Sequence, residues 1–325
     1  MKGDFERYLT AKETVDDRAL DRRVLGRVRD DLRSRETPRI LEAGAGTAAL
    51  LRRILGWKGL PDCTYVAVDT DPDLLSTARD RLLDRARRRG FEASVVDPTV
   101  TALGLDDAGT TVAALRLRGP ARIDVRLVAG DALAVAAGGG WDFLLAQAFA
   151  DLLTPAEVDR LVSGVVAGGG VYLPITFDGG TAFVPSHPAD DAVLDAYHAT
   201  MTGESGERLG ATAGRQLLTL LADTGVEIDV VGGSDWVVPP VGSSVADMGE
   251  EGSTDGEESA GEGGRTYPAD ESYFLGVIVD TVADAVRGRV APDVLDAWLD
   301  VRRRQRENGR LGFLARNLDL YGRVR

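Results

Sequence analysis

Residues 39–49 read Arg-Ile-Leu-Glu-Ala-Gly-Ala-Gly-Thr-Ala-Ala. The apolar pair Ile40-Leu41 runs into an acid, Glu42, and then into two glycines one residue apart, Gly44 and Gly46. Leu50-Leu51 and Ile54-Leu55 follow at helical spacing. A buried strand, a tight turn and a helix N-terminus in that order form the unit that brings backbone N–H groups close to a nucleotide-like ligand. Glycine is required there, because a side chain at either position would block the ligand or forbid the backbone angles.

A dinucleotide-binding loop has a similar turn, so features beyond it have to decide. Glu42 is the first, since a phosphate-binding loop has no use for negative charge and a ligand with a cationic end does. Thr64-Tyr65-Val66-Ala67-Val68-Asp69 is the second, another buried run ending in an acid, where a carboxylate accepts both hydroxyls of a ribose. Val125-Arg126-Leu127-Val128-Ala129-Gly130-Asp131-Ala132 is the third. Three successive strands thus end in carboxylates, as a ligand crevice at the carboxyl edge of a parallel sheet requires.

At these residues the chain resembles the class I S-adenosylmethionine-dependent methyltransferases. The resemblance covers roughly residues 39–240 and implies an α/β fold, a Rossmann-like seven-stranded sheet with helices on both faces. It assigns the methionine part of S-adenosylmethionine to Glu42, Gly44 and Gly46, the ribose to Asp69 and the adenine to Asp131, with Thr47, Thr70, Ala132 and Gln147 as further cofactor-binding residues. Trp141–Phe149 looks like the family's fourth strand, with Gln147 in the loop beside the reacting methyl group. Ala48 stands where a third glycine is often found, a mild departure. The Asn-Pro-Pro-Tyr signature of amino-group methylation is replaced by Ala146-Gln147-Ala148-Phe149, which argues against a base or glutamine amide as acceptor.

A chain of 325 residues can bury a full core. With Cys63 alone and two histidines, an internal disulfide and a zinc site are not expected. No apolar run is long enough to span a membrane and no signal-peptide pattern opens the sequence, so the cytoplasm is the expected compartment. The net charge is −14, yet 35 of the 38 basic residues are arginine and 36 of the 52 acids are aspartate. Abundant aspartate with almost no lysine suggests a halophilic protein, whose surface remains hydrated and self-repelling in high salt.

Four segments are expected. Residues 1–38 form an N-terminal helical segment with Thr14 as candidate N-cap, either a solvated helix start or a cover over the cofactor. Residues 39–241 form the methyltransferase domain. Within it Asp71-Pro72 and Thr154-Pro155 open helices, Leu115–Arg118 and Arg122–Leu127 form a hairpin, and Val226–Val231 with Trp236–Val238 form the terminal hairpin. Residues 242–266, nearly all Gly, Ser, Glu, Asp and Ala, read as a disordered acidic loop. Residues 267–325 are expected as three amphipathic helices packed on the domain, the last on the spacing Leu311, Leu314, Leu318.

Methyl transfer from a sulfonium demands alignment more than a particular catalytic side chain. The loop after the fifth strand supplies candidates: His187 and His198 as bases, with Asp178, His187, Arg215 and Trp236 as acceptor-binding residues. Either histidine could equally serve structure alone. The resemblance implies methyl transfer to a small-molecule acceptor. Two alternatives stand beside it: an RNA or protein methyltransferase, supported only by the arginines of 302–325, and a non-catalytic S-adenosylmethionine-binding protein. The tail arginines lack interleaved aromatic residues, so a nucleic-acid partner is not expected.

Overall fold

The computed structural model describes residues 2–98, 109–203, 207–241 and 266–325. The acidic stretch expected to be a loop lies outside the described residues, Thr266 apart.

Three helices lead in, α1 (Lys2–Ala11), α2 (Glu13–Ala19) and α3 (Arg22–Arg33). Strand β1 (Arg39–Ala43) then enters the glycine turn and α4 (Ala49–Ile54) leaves it. After β2 (Cys63–Asp69), helix α5 (Pro72–Arg88) begins as the sequence predicts: Asp71 accepts from the Asp73 N–H and Pro72 fills the first helical position. Strands β3 (Glu92–Val96), β4 (Gly109–Arg118) and β5 (Arg122–Gly130) form an antiparallel edge; the expected hairpin is β4–β5.

Helix α6 (Ala132–Ala137), β6 (Trp141–Leu145), α7 (Pro155–Val162), the long β7 (Val165–Val184), α8 (Asp190–Thr200) and α9 (Ala213–Asp223) follow. Thr154 and Glu157 close a reciprocal capping box on α7. The chain ends with β8 (Val226–Gly233), β9 (Trp236–Val238), α10 (Glu271–Ala285), α11 (Pro292–Glu307) and β10 (Gly312–Val324).

The sheet order is β3-β4-β5-β2-β1-β6-β7-β10-β8, with β9 paired to β10. Its seven-strand core runs from β5 to β8, parallel throughout except for β10, which is antiparallel to both neighbours. Period-two alternation assigns each strand residue a face. Ile40, Tyr65 and Ala67 meet α3, α4 and α5 on one side, while Leu41, Val66 and Val68 meet α6, α7 and α9 on the other. Each fully buried side chain of this kind stabilises the fold by roughly 1.5–3 kcal/mol.

Two expectations are corrected. The last expected helix is strand β10, and its burial follows the strand's pleat: Phe313 and Ala315 are buried, Leu314 is exposed. Its pairing with β7 and β8 carries it into the central sheet, so β8 and β9 each pair with β10 and form no hairpin with each other. Thr14 caps nothing: α2 begins one residue earlier, and the Thr14 hydroxyl donates to Glu271 Oε1 at 2.7 Å.

A third core joins both ends of the sequence, with Ala11 and Val15 beside Phe274, Val282, Trp298 and Phe313. Tyr8 stacks on Phe274 at 5.8 Å, and Arg18 pairs with the fully buried Glu271 at 2.6 Å. The helices α10 and α11 therefore brace the N-terminal pair.

Candidate functional site

All nine residues expected to hold a cofactor line one cleft, of about 360 Å³, at the carboxyl ends of β1, β2, β5 and β6. Gly44 and Gly46 take positive φ, +67° and +53°. A Cβ on Gly44 would lie 2.5 Å from the ring of Phe149, so both the backbone angle and the space demand glycine there. Ala48, at the N-cap of α4, is also left-handed (φ 54°, ψ 43°), a conformation that costs an alanine roughly 1–2 kcal/mol.

The acids differ in their surroundings. Glu42 is buried, and the Tyr65 hydroxyl donates to its Oε2 at 2.7 Å. Burial pushes its carboxyl up to about 7, against the opposing pull of Tyr65 and of Arg53 and Arg52. Asp69 is oriented by backbone: Gly46 N–H donates to Oδ2 at 2.8 Å and Asp71 N–H to Oδ1 at 3.0 Å. Each of these oxygens keeps a second acceptor direction. Asp131 is exposed and accepts from Leu133 N–H at 2.9 Å, capping α6. Thr47 and Ala132 are buried at the turn and at the α6 start; Thr70 is exposed beside Asp69.

Gln147 joins the cleft to the N-terminal helices. Its Nε2 donates to Asp16 Oδ2 at 3.0 Å and its Oε1 accepts from Arg53 at 3.0 Å. Asp16, 1% exposed, also accepts from Trp236 Nε1 at 2.9 Å and lies 3.5 Å from Lys12 Nζ. Phe5, Leu9, Lys12 and Asp16 complete the cleft wall with Phe149 and Leu152. The sequence singled out none of these four as site residues. The stretch 12–18 resembles an ordinary charged helix start, and the only hint of more was an acid at helical spacing from apolar neighbours.

The other candidates are not brought to the cleft. The His187 ring accepts from Ala189 N–H at 3.1 Å, a loop-stiffening role. His198 pairs with Thr181 Oγ1 at 2.9 Å and packs on Phe177; burial pushes its pKa down. Buried Asp178 accepts a forked pair from Arg215, so Arg215 is committed to the β7–α9 join. Trp236 does not line the cleft and meets it through Asp16 and Lys12, whose ammonium lies 5.1 Å from its ring centroid. None of these five lines the cleft: the distal half of β7 pairs with β10, and Phe177, Phe183, Tyr197 and Trp236 pack in the core shared with α8, α10 and α11.

Four of the eight tail arginines are engaged within the fold as well. Arg302 is wholly buried and binds Asp190 and the Pro185 carbonyl, and Arg303, Arg316 and Arg323 pair with Asp280, Asp178 and Asp31. Among the described residues, no group of three His, Cys, Asp or Glu side chains could hold a metal ion, and no helix is long and apolar enough to cross a membrane.

No protein-family model matches this chain, and no curated protein does. Among solved structures it is similar to an S-adenosylmethionine-dependent methyltransferase of Thiobacillus denitrificans in complex with S-adenosylhomocysteine: 13% identity, 94% of this chain and 93% of that one, TM-score 0.42. A second such complex, from Geobacter sulfurreducens, shares 12% identity over 98% of each chain, TM-score 0.42. The YcgJ protein of Bacillus subtilis shares 11% identity over 94% of this chain and 99% of its own, TM-score 0.45. By its own strand order and its glycine turn, the chain has the Rossmann-like sheet of the class I S-adenosylmethionine-dependent methyltransferases.

Proposed function

We propose that the protein is an S-adenosylmethionine-dependent methyltransferase acting on a small-molecule acceptor. The observation that carries this reading is the convergence of Glu42, Asp69 and Asp131 on one cleft behind a glycine turn. The fit is chemical. A phosphate would be repelled by the Glu42 carboxylate, whereas the ammonium of a methionine moiety would hold it ionised. Gly44 and Gly46, both at positive φ, line the same cleft as these acids and let the backbone turn along its wall. Asp69 is held with a free acceptor direction on each oxygen, suited to a ribose diol.

When bound, the cofactor supplies a methyl group on a sulfonium, whose thioether leaves without charge. The chain's part is to align the acceptor and exclude water, with reacting atoms about 3–3.5 Å apart. Gln147, Phe149 and Leu152 border the cleft beyond the glycine turn, and Phe5, Leu9, Lys12 and Asp16 face them from α1 and α2. Such a wall, apolar with one cation and one anion, selects a small acceptor and gives it orientation. With Arg302, Arg303, Arg316 and Arg323 paired within the fold, the tail lends little support to an RNA acceptor.

Calorimetry with S-adenosylhomocysteine tests the reading. Wild type should bind one equivalent, and Asp69→Ala should weaken binding roughly ten- to a hundredfold while the fold persists, since a charge-assisted hydrogen bond contributes about 1.5–3 kcal/mol. Unchanged affinity in a folded variant, or no binding by wild type, would overturn it.

A further inference from the structure

Behind the glycine turn, on the outer side of α4, lies a second hollow of about 230 Å³ that methyl transfer does not use. Ala49 borders both spaces. Five arginines line the hollow, Arg52 and Arg53 from α4 with Arg81, Arg85 and Arg88 from α5, against three acids, Glu13, Asp17 and Asp84. The spacing 81, 85, 88 places the last three on one helical face.

The acids satisfy four of these arginines and, among the described residues, leave Arg85 without a carboxylate. Arg81 is held by Glu13, Glu6 and the Thr10 hydroxyl, Arg52 shares Glu13, Arg53 pairs with Asp17 and lies 3.9 Å from Asp16, and Arg88 pairs with Asp84. Among the described residues no carboxylate lies within ion-pair distance of Arg85, whose Nε donates to the Arg52 carbonyl at 3.2 Å. Its pKa is pushed down by burial and by Arg89, Arg88 and Arg52. The Nε of Arg52 is buried without a hydrogen-bond partner.

We propose that this hollow binds a phosphate-bearing small molecule, its phosphoryl group held by the guanidinium groups of Arg85, which has no carboxylate, and Arg88, one helical turn on. Guanidinium matches a phosphoryl group with paired, charge-assisted hydrogen bonds. The volume is below the roughly 300–1,000 Å³ of pockets that enclose whole drug-sized ligands, so it takes a phosphorylated head group. No aromatic side chain lines it, so the stacking on which single-stranded RNA depends is not available.

The test is calorimetry on the full chain at low, fixed ionic strength with inorganic pyrophosphate, and separately with a single-stranded oligoribonucleotide. Wild type should bind pyrophosphate saturably at one equivalent, with a rise in Tm. The double variant R85Q/R88Q should lose at least about tenfold in affinity. R87Q removes a charge from the same turn outside the hollow and should leave binding unchanged. If the double variant loses its fold, R85K serves instead, because it keeps the charge and removes the planar fork.

Absence of saturable pyrophosphate binding, an equal loss in R87Q, or binding of the oligonucleotide alone would overturn the proposal. S-adenosylhomocysteine titrated into the same proteins separates the two readings. Pyrophosphate binding without cofactor binding would reject the methyltransferase and leave the anion site standing.

Discussion

Gln147 donates to Asp16 across 3.0 Å, and this bond fastens the loop after β6 to a helix lying 131 residues away in sequence. Trp236 and Lys12 converge on the same carboxylate. A buried acid with three such partners organises them, and its removal leaves each without its charge partner.

Asp16→Ala is therefore expected to destabilise the protein by about 3 kcal/mol, the cost of breaking a buried, hydrogen-bonded charge cluster from one side. Urea denaturation followed by tryptophan fluorescence reads both the stability and the release of the Trp236 indole. A variant within about 0.5 kcal/mol of wild type would show that the cluster is dispensable.

Glu42 gives a pH dependence of defined sign. Its carboxyl rises from an ordinary 4.5 to about 7 on burial, so the folded protein holds a proton that the unfolded chain releases. Its contribution to stability is thus full below 4.5 and is lost as pH rises toward 7. A ligand ammonium needs the ionised form, so cofactor affinity should fall below pH 7 by up to about tenfold per unit. Titrations between pH 5.5 and 8.5, with Glu42→Gln as the pH-insensitive reference, check this; a flat wild-type profile would refute it.

Gly44→Ala should damage the site twice over, through the left-handed backbone and through the Phe149 ring. The backbone penalty alone is roughly 1–2 kcal/mol. Adding Phe149→Ala should relieve the collision and not the backbone cost, so a double-mutant cycle on S-adenosylhomocysteine affinity should show coupling. Additivity would mean that the ring moves freely aside.

Glu271 is wholly buried and receives Thr14 and both ends of the Arg18 fork. Glu271→Ala should loosen α1 and α2 from α10, raising protease sensitivity near residue 12 and weakening acceptor binding more than cofactor binding. Equal weakening of both would place the N-terminal segment over the cofactor instead.

The halophilic reading of composition has its own test. Folding and activity should increase from low salt toward molar potassium chloride, as screening relieves the repulsion among excess acids. Full activity without added salt, lost in molar salt, would reject it.

The glycine turn, the three strand-end acids and the Asp71 and Thr154 caps were legible because each is a local pattern with a local cause. Strand β10 was not, since Leu311, Leu314 and Leu318 fit a helix while the residues that betray a strand are polar. Asn317 and Asp319 are buried, and Asp319 accepts from Ile175 N–H and Asp21 N–H, partners far away in sequence. The same reason hid Lys12 and Asp16. Their burial depends on Trp236 and Gln147, and charged side chains read as solvated until their partners are known. The histidines misled in the opposite sense: their pKa suited base chemistry, and geometry took them elsewhere.

The brace between α1–α2 and α10 has a consequence for the order of folding. Arg18 meets Glu271 across 253 residues, and Asp21 meets Asp319 across 298. Contacts of such sequence separation form late, because a long loop must close before they repay its entropy. A growing chain can pair β1 with β2 well before α10 exists, but it cannot yet seat Phe5 and Leu9 over the cleft. The nascent protein should therefore acquire the strand-edge side of its cleft first and the wall formed by Phe5 and Leu9 last.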